Sequence, residues 1–250
     1  MLPIIEISNS DFSTLEKDSD CLVVIYQSKD SLSKEFQAYN NFYQSISSFE
    51  SCDLAVHKET VFINTPSVSG SRLILSPLGP LDHDIDDVRK IAEAAKAGAA
   101  RAIKAGARSP TFYLCEIPEY SLSIDSDYSH WAEVAILAAL EESYVTLVAR
   151  EWNAKTNSSA KNEKFDSIKF KLSSSIKTTC DIHTILKNVS AIEQGKRLCK
   201  DLGYGDPERM TPYAVASIVE SELSSIPNIT VKVNKDLDDL KANYPLTYHS

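Results

Sequence analysis

A helix, a turn and a second helix within Val189–Glu220 organise the rest of the chain. Apolar residues recur at helical spacing over Asp181–Leu202, which predicts a helix with one apolar face. The glycines and proline of Gly203–Pro207 end that helix, because glycine admits positive φ and proline cannot continue the ladder. Thr211 and Pro212 begin the second helix, since threonine caps free N–H groups and proline fits the first turn. A long region precedes this stretch and a short one follows it.

Strands alternate with helices through residues 1–175, which predicts an α/β domain with a mixed sheet between helical layers. Cys21–Tyr26 is a continuous apolar run, typical of a strand covered on both faces. The third and fourth strands are separated by a Pro/Ser/Gly loop that allows a hairpin. The predicted strands are Leu2–Ile7, Cys21–Tyr26, Thr60–Asn64, Arg72–Leu75, Pro110–Glu116 and Phe165–Leu172, and the predicted helices are Leu32–Ile46, Asp84–Gly106 and Ser129–Tyr144.

The remaining segments are assigned from alternation and polarity. Asn153–Lys164 is polar and lacks periodicity, which predicts an exposed or partly disordered loop. Ile229–Val233 alternates apolar with polar residues and is predicted to be a strand. Asp236–Leu240 is predicted to be a short helical turn, and Tyr244–Ser250 the start of a further strand.

Composition excludes several classes of protein. The net charge of −9 argues against a general nucleic-acid surface, because phosphate binding needs clustered lysine and arginine. Five widely spaced cysteines without a CxxC pair indicate reduced, mostly buried thiols in a cytoplasmic protein. The N-terminal sequence lacks the features of a signal peptide, and no apolar run has the length of a membrane span.

Motifs for nucleotide binding and for serine catalysis are absent from the sequence. With seven glycines, the chain has no GxGxxG after a strand, no GxxxxGK[ST] and no GxSxG. Gly203-Tyr204-Gly205 follows a helix instead of opening one, which is the wrong context for phosphate binding. A Gly-rich nucleotide cradle is therefore not expected.

Candidate metal ligands are few. His130 and Glu133 stand three residues apart on a predicted helix, a spacing that can place two ligands on one face. No HExxH motif or second pair accompanies them, so an ordinary surface histidine is the favoured interpretation. An acidic run and the remaining histidines are weaker candidates: Asp82, Asp84, Asp86, Asp87, His57, His83, His183 and His249. The run lacks the glycine and glutamate of an EF-hand, and helix capping accounts for it more simply.

The helix–turn–helix stretch resembles the linker of leucyl-type metallo-aminopeptidases, the M17 peptidase family. The matching residues are Leu198, Asp201 and Leu202, then Asp206-Pro207, then Met210-Thr211-Pro212. Classical members carry an Asn-Glu-Pro turn where this chain has Asp-Pro-Glu, which is closer to an animal branch of "probable aminopeptidases". The order of elements over all 250 residues also resembles the N-terminal half of the family.

The resemblance implies a three-layer, macro-like N-terminal domain at 1–175, a linker helix at 176–204 and the incomplete start of an α/β catalytic domain at 205–250. It also implies a cytoplasmic homohexamer that acts on peptides with two divalent metals, manganese or zinc. The family's Asn-Thr-Asp-Ala-Glu-Gly-Arg metal motif does not occur here. No catalytic, metal-binding or cofactor-binding residue is therefore assigned. The segment is expected to be inactive alone and to serve folding, oligomerisation and access to the active site.

A second interpretation is a non-catalytic binding or assembly module, without nucleic-acid or membrane partners. A macro-like fold can bind ligands of the ADP-ribose type, although this chain has no obvious Gly-rich diphosphate loop. In either case, the apolar residues after position 205 are expected to stay exposed and to favour association. They include Val215, Ile218, Ile229, Val231 and Leu246.

Overall fold

A computed structural model of the chain describes residues 2–9, 12, 19–81, 83, 86–117, 128–156, 163–173 and 181–249. The chain divides into two compact units, Met1–Leu198 (unit 1) and Cys199–Ser250 (unit 2). The strands are β1 Ile4–Asn9, β2 Cys21–Tyr26, β3 Val61–Asn64, β4 Arg72–Pro77, β5 Pro110–Leu114 and β6 Ser167–Leu172. The helices are α1 Lys29–Phe36, α2 Asn40–Glu50, α3 Arg89–Lys104, α4 Trp131–Ser143, α5 Leu147–Lys155, α6 Ile182–Gly203, α7 Pro212–Leu223, α8 Leu237–Asn243 and α9 Pro245–Tyr248.

The six strands form one mixed sheet in the order β1-β6-β5-β2-β4-β3. All neighbouring pairs are parallel except β3 and β4, which are antiparallel. Val23 in the central strand β2 is in register with Ile74 of β4 and Phe112 of β5. The predicted mixed sheet and hairpin are confirmed.

Helices cover both faces of this sheet. All six residues of β2 are buried, and its side chains alternate between two apolar clusters. Cys21, Val23 and Ile25 face the cluster that contains α3, α4 and the first turns of α6. The alternate residues face a cluster that α1 and α2 cover, with aromatic side chains at its centre. Unit 1 therefore has the predicted three layers, and β2 is covered on both faces as its apolar run indicated.

Helix α3 lies unusually close to the sheet because its inner stripe is made of small residues. A Cβ built on Gly98 would lie 2.7 Å from Cγ1 of Val23, too close for a real contact. The helix begins at Arg89, so the predicted start at Asp84 was wrong where the structure describes it. Asp87 instead accepts hydrogen bonds from the backbone and side chain of Arg89.

Two other predicted segments differ from the structure. The predicted helix Leu32–Ile46 is two helices, because the backbone at Tyr39 leaves helical geometry. Helix α1 also begins earlier, with Ser28 and Ser31 forming a capping box. Residues 153–155 belong to α5, so the loop prediction for Asn153–Lys164 was wrong at its start.

Unit 2 contains the last residues of α6 and three complete helices, α7, α8 and α9, in its described residues 199–249. Thr211 caps α7 by accepting a hydrogen bond from the N–H of Ala214, as predicted. The strand prediction for Ile229–Val233 was wrong, since these residues form neither helix nor strand. The strand prediction for Tyr244–Ser250 was also wrong, because Pro245–Tyr248 is a short helix with proline in its first turn. No residue from 199 to 249 is buried.

Candidate functional site

A half-buried carboxylate lies at the carboxyl ends of β5 and β6. Glu35 of α1 accepts hydrogen bonds from the Tyr113 hydroxyl and, at 2.7 Å, from Ser173 Oγ. Burial, reinforced by the bond to Glu35, raises the pKa of Tyr113 well above its usual range. Carboxyl ends of parallel strands are where α/β proteins commonly bind ligands. The segments that follow β1, β5 and β6, on which the ADP-ribose expectation depends, lie largely outside the described residues.

A chain of four polar side chains closes the end of β2. His57 Nδ1 lies 2.9 Å from the Tyr26 hydroxyl, and His57 Nε2 lies 2.8 Å from Glu50 Oε1. Lys29 Nζ donates to the other Glu50 oxygen at 2.6 Å. Burial opposes ionisation of Glu50, but the bonds from Lys29 and His57 outweigh it and lower the Glu50 pKa. A proton on Nε2 would donate to Glu50, and Nδ1 would then accept from the tyrosine.

The sequence indicated His57 only as a weak candidate metal ligand, and spacing alone does not reveal this arrangement. Its partners come from a strand end, a helix start and a helix end, at Tyr26, Lys29 and Glu50. Tyr26 itself is buried. We interpret the four residues as a polar latch between α1, α2 and β2.

The other predicted candidates make local contacts. His130 Nδ1 lies 3.2 Å from Glu133 Oε1 at the start of α4, so the predicted pair does share one face. Asp86 pairs with Lys90 at 2.8 Å, and that hydrogen bond, with one from the backbone of His83, lowers the Asp86 pKa. Asp82 and Asp84 lie outside the described residues.

His183 and His249 also make only local contacts. His183 stands beside Asp181 at the start of α6, and the His249 ring packs edge-on against Tyr248. Among the described residues, no three histidine, cysteine, aspartate or glutamate side chains group closely enough to hold a metal ion. These residues do not fit the two-metal centre that the resemblance implies for the family.

The described cysteines have unlike surroundings. Cys21 and Cys115 are buried, and burial raises the pKa of Cys21 to about 12 and that of Cys115 well above its usual range. Neither has the thiolate character that nucleophilic catalysis needs. Cys52 and Cys199 are exposed, so the prediction of mostly buried thiols holds for only two of these four residues.

Helix α6 is fixed to unit 1 by a buried arginine. Arg197 donates to Glu193 Oε1 at 2.9 Å, to both oxygens of Glu163 at 2.8 Å and to Ser143 Oγ at 2.8 Å. Glu193 is fully buried, and its Oε2 makes no hydrogen bond but lies 3.8 Å from Lys196 Nζ. Glu193 and Arg197 have the i, i+4 spacing of a helical ion pair, whereas the partners from α4 and from the segment before β6 meet them only through the fold.

Unit 2 exposes large apolar side chains along its whole length. Tyr213 is 70% exposed and Leu246 is 89% exposed. Others are Tyr204, Ile226, Ile229, Leu237, Tyr244 and Tyr248. The expected exposure of apolar residues is therefore found at Ile229 and Leu246, while Val215, Ile218 and Val231 are half-buried. Exposed apolar surface of this kind is typical of sites that contact another molecule or promote association.

Sequence comparison identifies a relative of this chain among known proteins. No family model matches the chain. A Caenorhabditis elegans protein described as a "putative aminopeptidase" is 30% identical over 210 residues, which cover 84% of this chain and 35% of that protein. The chain thus spans about a third of the length of this relative. No helix among the described residues has the length and apolarity to cross a bilayer.

Solved structures of aminopeptidase-like enzymes share the fold of this chain. A tomato leucine aminopeptidase variant superposes with a TM-score of 0.64 at 17% identity, over 96% of this chain and 47% of that one. The bottromycin maturation enzyme BotP, in a complex with manganese, superposes with a TM-score of 0.51 at 12% identity, over 83% of this chain and 36% of that one. In sequence, this chain is similar to part of a putative aminopeptidase, and in fold it is similar to the N-terminal part of a leucine aminopeptidase, so the family resemblance is confirmed.

Proposed function

We propose that these 250 residues are the N-terminal portion of a leucyl-type metallo-aminopeptidase, which removes N-terminal amino acids from peptides. The sequence match to about a third of a longer aminopeptidase carries the proposal. In it, unit 1 is the accessory domain and α6 leads to the peptidase domain. Residues 199–250 begin that domain, whose remaining residues hold two divalent metals, manganese or zinc.

The surface of unit 2 supports this assignment. A free-standing domain buries apolar side chains in a core of its own, whereas residues 199–249 bury none. The helix α7 and its neighbours therefore need further protein to cover them. In the proposal, the catalytic domain supplies that cover, and the complete subunits assemble as a cytoplasmic homohexamer.

Native mass and activity test the proposal together. An antibody against Arg89–Lys104 should precipitate a species much heavier than 27.7 kDa from the source cells. That species should hydrolyse leucine p-nitroanilide, lose the activity with a chelator and regain it with manganese or zinc. The 250-residue chain alone should show no metal-dependent turnover. Turnover by that chain would contradict the proposed division of labour.

An assembly module is the second candidate, favoured by the same exposed apolar residues. A species of 27.7 kDa without peptidase activity would support it. Its apolar surface would then bind subunits of a full-length relative. Co-purification of the 250-residue chain with such subunits is the matching measurement.

A further inference from the structure

A groove lined by uncharged residues lies beside helix α2, the end of strand β3 and the turn that follows it. One part has a volume of about 770 Å³ and is lined by the start of α2 and by the turn after β3. A second part of about 480 Å³ continues along α2 and the end of β3, and shares Asn41, Gln44, Ser45 and Pro66 with the first.

Strand β3 is an edge strand whose outer backbone groups have no partner. It pairs with β4 only, and Thr65 N–H donates to Ser71 O at 3.2 Å in the register of that pair. Antiparallel strands alternate their hydrogen bonds, so Val61 and Ile63 also point their backbone groups at β4. The N–H and C=O groups of Phe62 and Asn64 therefore point outward, and none makes a hydrogen bond to a described residue.

The groove has no charged lining. Its side chains are amides, hydroxyls, aromatic rings, a thiol and the apolar groups of Ile63 and Pro66, without an aspartate, glutamate, lysine, arginine or histidine. Ser45 Oγ lies 2.8 Å from Thr65 Oγ1 and Ser67 Oγ donates to Asn41 O at 3.2 Å, which ties the helix to the turn. The side-chain amides of Asn41, Gln44 and Asn64 make no hydrogen bond to a described residue, so they are available to a ligand.

We propose that this groove binds an uncharged, extended peptide segment that adds to β3 as a further strand. The outward groups of Phe62 and Asn64 would pair with its backbone, and the free amides along α2 would bind its polar side chains. An edge strand beside a helix is a known arrangement for such strand addition. The surface lies within unit 1, so the inference is independent of the peptidase proposal.

Binding of a defined strand-forming peptide tests the inference. The probe is a fluorescein-labelled, C-amidated octapeptide of alternating threonine and valine, titrated with the 250-residue chain by fluorescence anisotropy. We expect saturable binding with a dissociation constant of about 0.1–1 mM. An octapeptide of alternating proline and threonine, which lacks half of the donors, should not bind. Absence of saturation by the first peptide would overturn the proposal.

Asn64 allows a matched pair of variants. Proline is tolerated on an edge strand where the lost N–H faces outward, so Asn64→Pro should keep the fold while weakening binding about tenfold. Asn64→Ala keeps the N–H and should weaken binding less than about twofold. Equal effects of the two changes would mean that the edge backbone is not used. Circular dichroism confirms that each variant is folded.

A second pair of variants independently tests the side of the groove that α2 forms. Ser48→Arg puts a long cation into the uncharged groove and should weaken binding at least fivefold, since a charge is costly to desolvate. Gln37→Arg adds the same charge outside the groove and should leave binding unchanged. A wild-type chain that sediments as a dimer, with Asn64→Pro as a monomer, would show that β3 pairs with a second copy, and would overturn the peptide assignment.

Discussion

Arg197 is a nearly buried cation whose guanidinium joins α6 to two other segments of unit 1. Its side chain is 9% exposed, and its partners Glu193 and Glu163 are 0% and 15% exposed. Removing one member of a buried pair leaves the other charge without compensation. We expect Arg197→Met to lower the free energy of unfolding by about 3 kcal/mol, measured by urea denaturation.

Lys196 provides the control for that change, because it is the next residue and a more exposed cation. Its Nζ lies 3.2 Å from Glu141 and 3.8 Å from Glu193, and its side chain is 34% exposed. Exposed ion pairs contribute little, so Lys196→Met should cost less than about 1 kcal/mol. Equal costs for the two variants would contradict a special role for the buried guanidinium.

The ionisation of Glu50 makes the stabilisation that the polar latch provides dependent on pH. Its pKa in the folded protein is lower than the usual 4.5, so the unfolded chain takes up a proton first as pH falls. The stabilisation is therefore complete above about pH 5 and is lost as pH falls through the folded pKa. We expect the difference in unfolding free energy between wild type and Glu50→Gln to shrink from pH 7 to pH 3. A difference that stays constant would rule out the ionised carboxylate as its source.

Helix α3 packs closely against the sheet at Gly98. Alanine there would gain about 1 kcal/mol in helix propensity, but its Cβ would meet Val23 Cγ1 at 2.7 Å. Val23 is fully buried in the central strand and is stiff about χ1. The overpacking cost of about 1–3 kcal/mol should win, so Gly98→Ala is expected to lower the thermal midpoint.

Gly195 in α6 tests the same substitution without the clash. Nothing lies within 4 Å of a Cβ built there, so only the helix propensity changes. Gly195→Ala should raise stability by about 0.5–1 kcal/mol. Opposite signs for the two variants, measured by calorimetry, would establish that packing decides at Gly98. A stabilising Gly98→Ala would mean that β2 shifts away from α3.

Most helices and strands of unit 1 were predictable because each has a packing partner that imposes its period. The small residues Ala95, Ala99 and Ala102 reflect the close packing of α3 on the sheet. The apolar run of β2 reflects the helices that cover both faces of that strand. The stripe over Leu32–Ile46 was misleading, because α1 and α2 both face one core and a turn at Tyr39 barely interrupts the spacing. Helix α5 was missed because it buries no residue and so carries no stripe.

In unit 2, the local sequence pattern was misleading because the predicted strand has no neighbouring strand among the described residues. Ile229–Val233 alternates like a strand, but a strand needs a neighbour for its backbone groups, and the described residues offer none. Pro245 was the better signal there, since proline at a first helical turn favours the observed α9. The polar latch at His57 was beyond sequence patterns altogether, because its four members meet only through the fold of unit 1.

The difference in burial between the two units predicts a difference in hydrogen exchange. Strands β2 and β5 are buried throughout, so their amides should exchange only by global unfolding. Residues 199–249 bury nothing, and the 12 residues of α7 are too few for a stable isolated helix. In the monomeric 250-residue chain, amides of α7, α8 and α9 should therefore exchange many times faster than those of the sheet.

Deletion of unit 2 tests the same reasoning by another route. A chain cut after Tyr204 keeps all of α6 and the Arg197 contacts, so its thermal midpoint should stay within about 2 °C of the longer chain. It should also lose any tendency to self-associate, because the exposed apolar residues of unit 2 are gone. Strong protection of the α7 amides from hydrogen exchange, in a 250-residue chain that sediments as a monomer, would contradict both the expected fast exchange and the expected self-association. Residues 199–249 would then possess a core of their own, and the proposal that further protein covers them would fail.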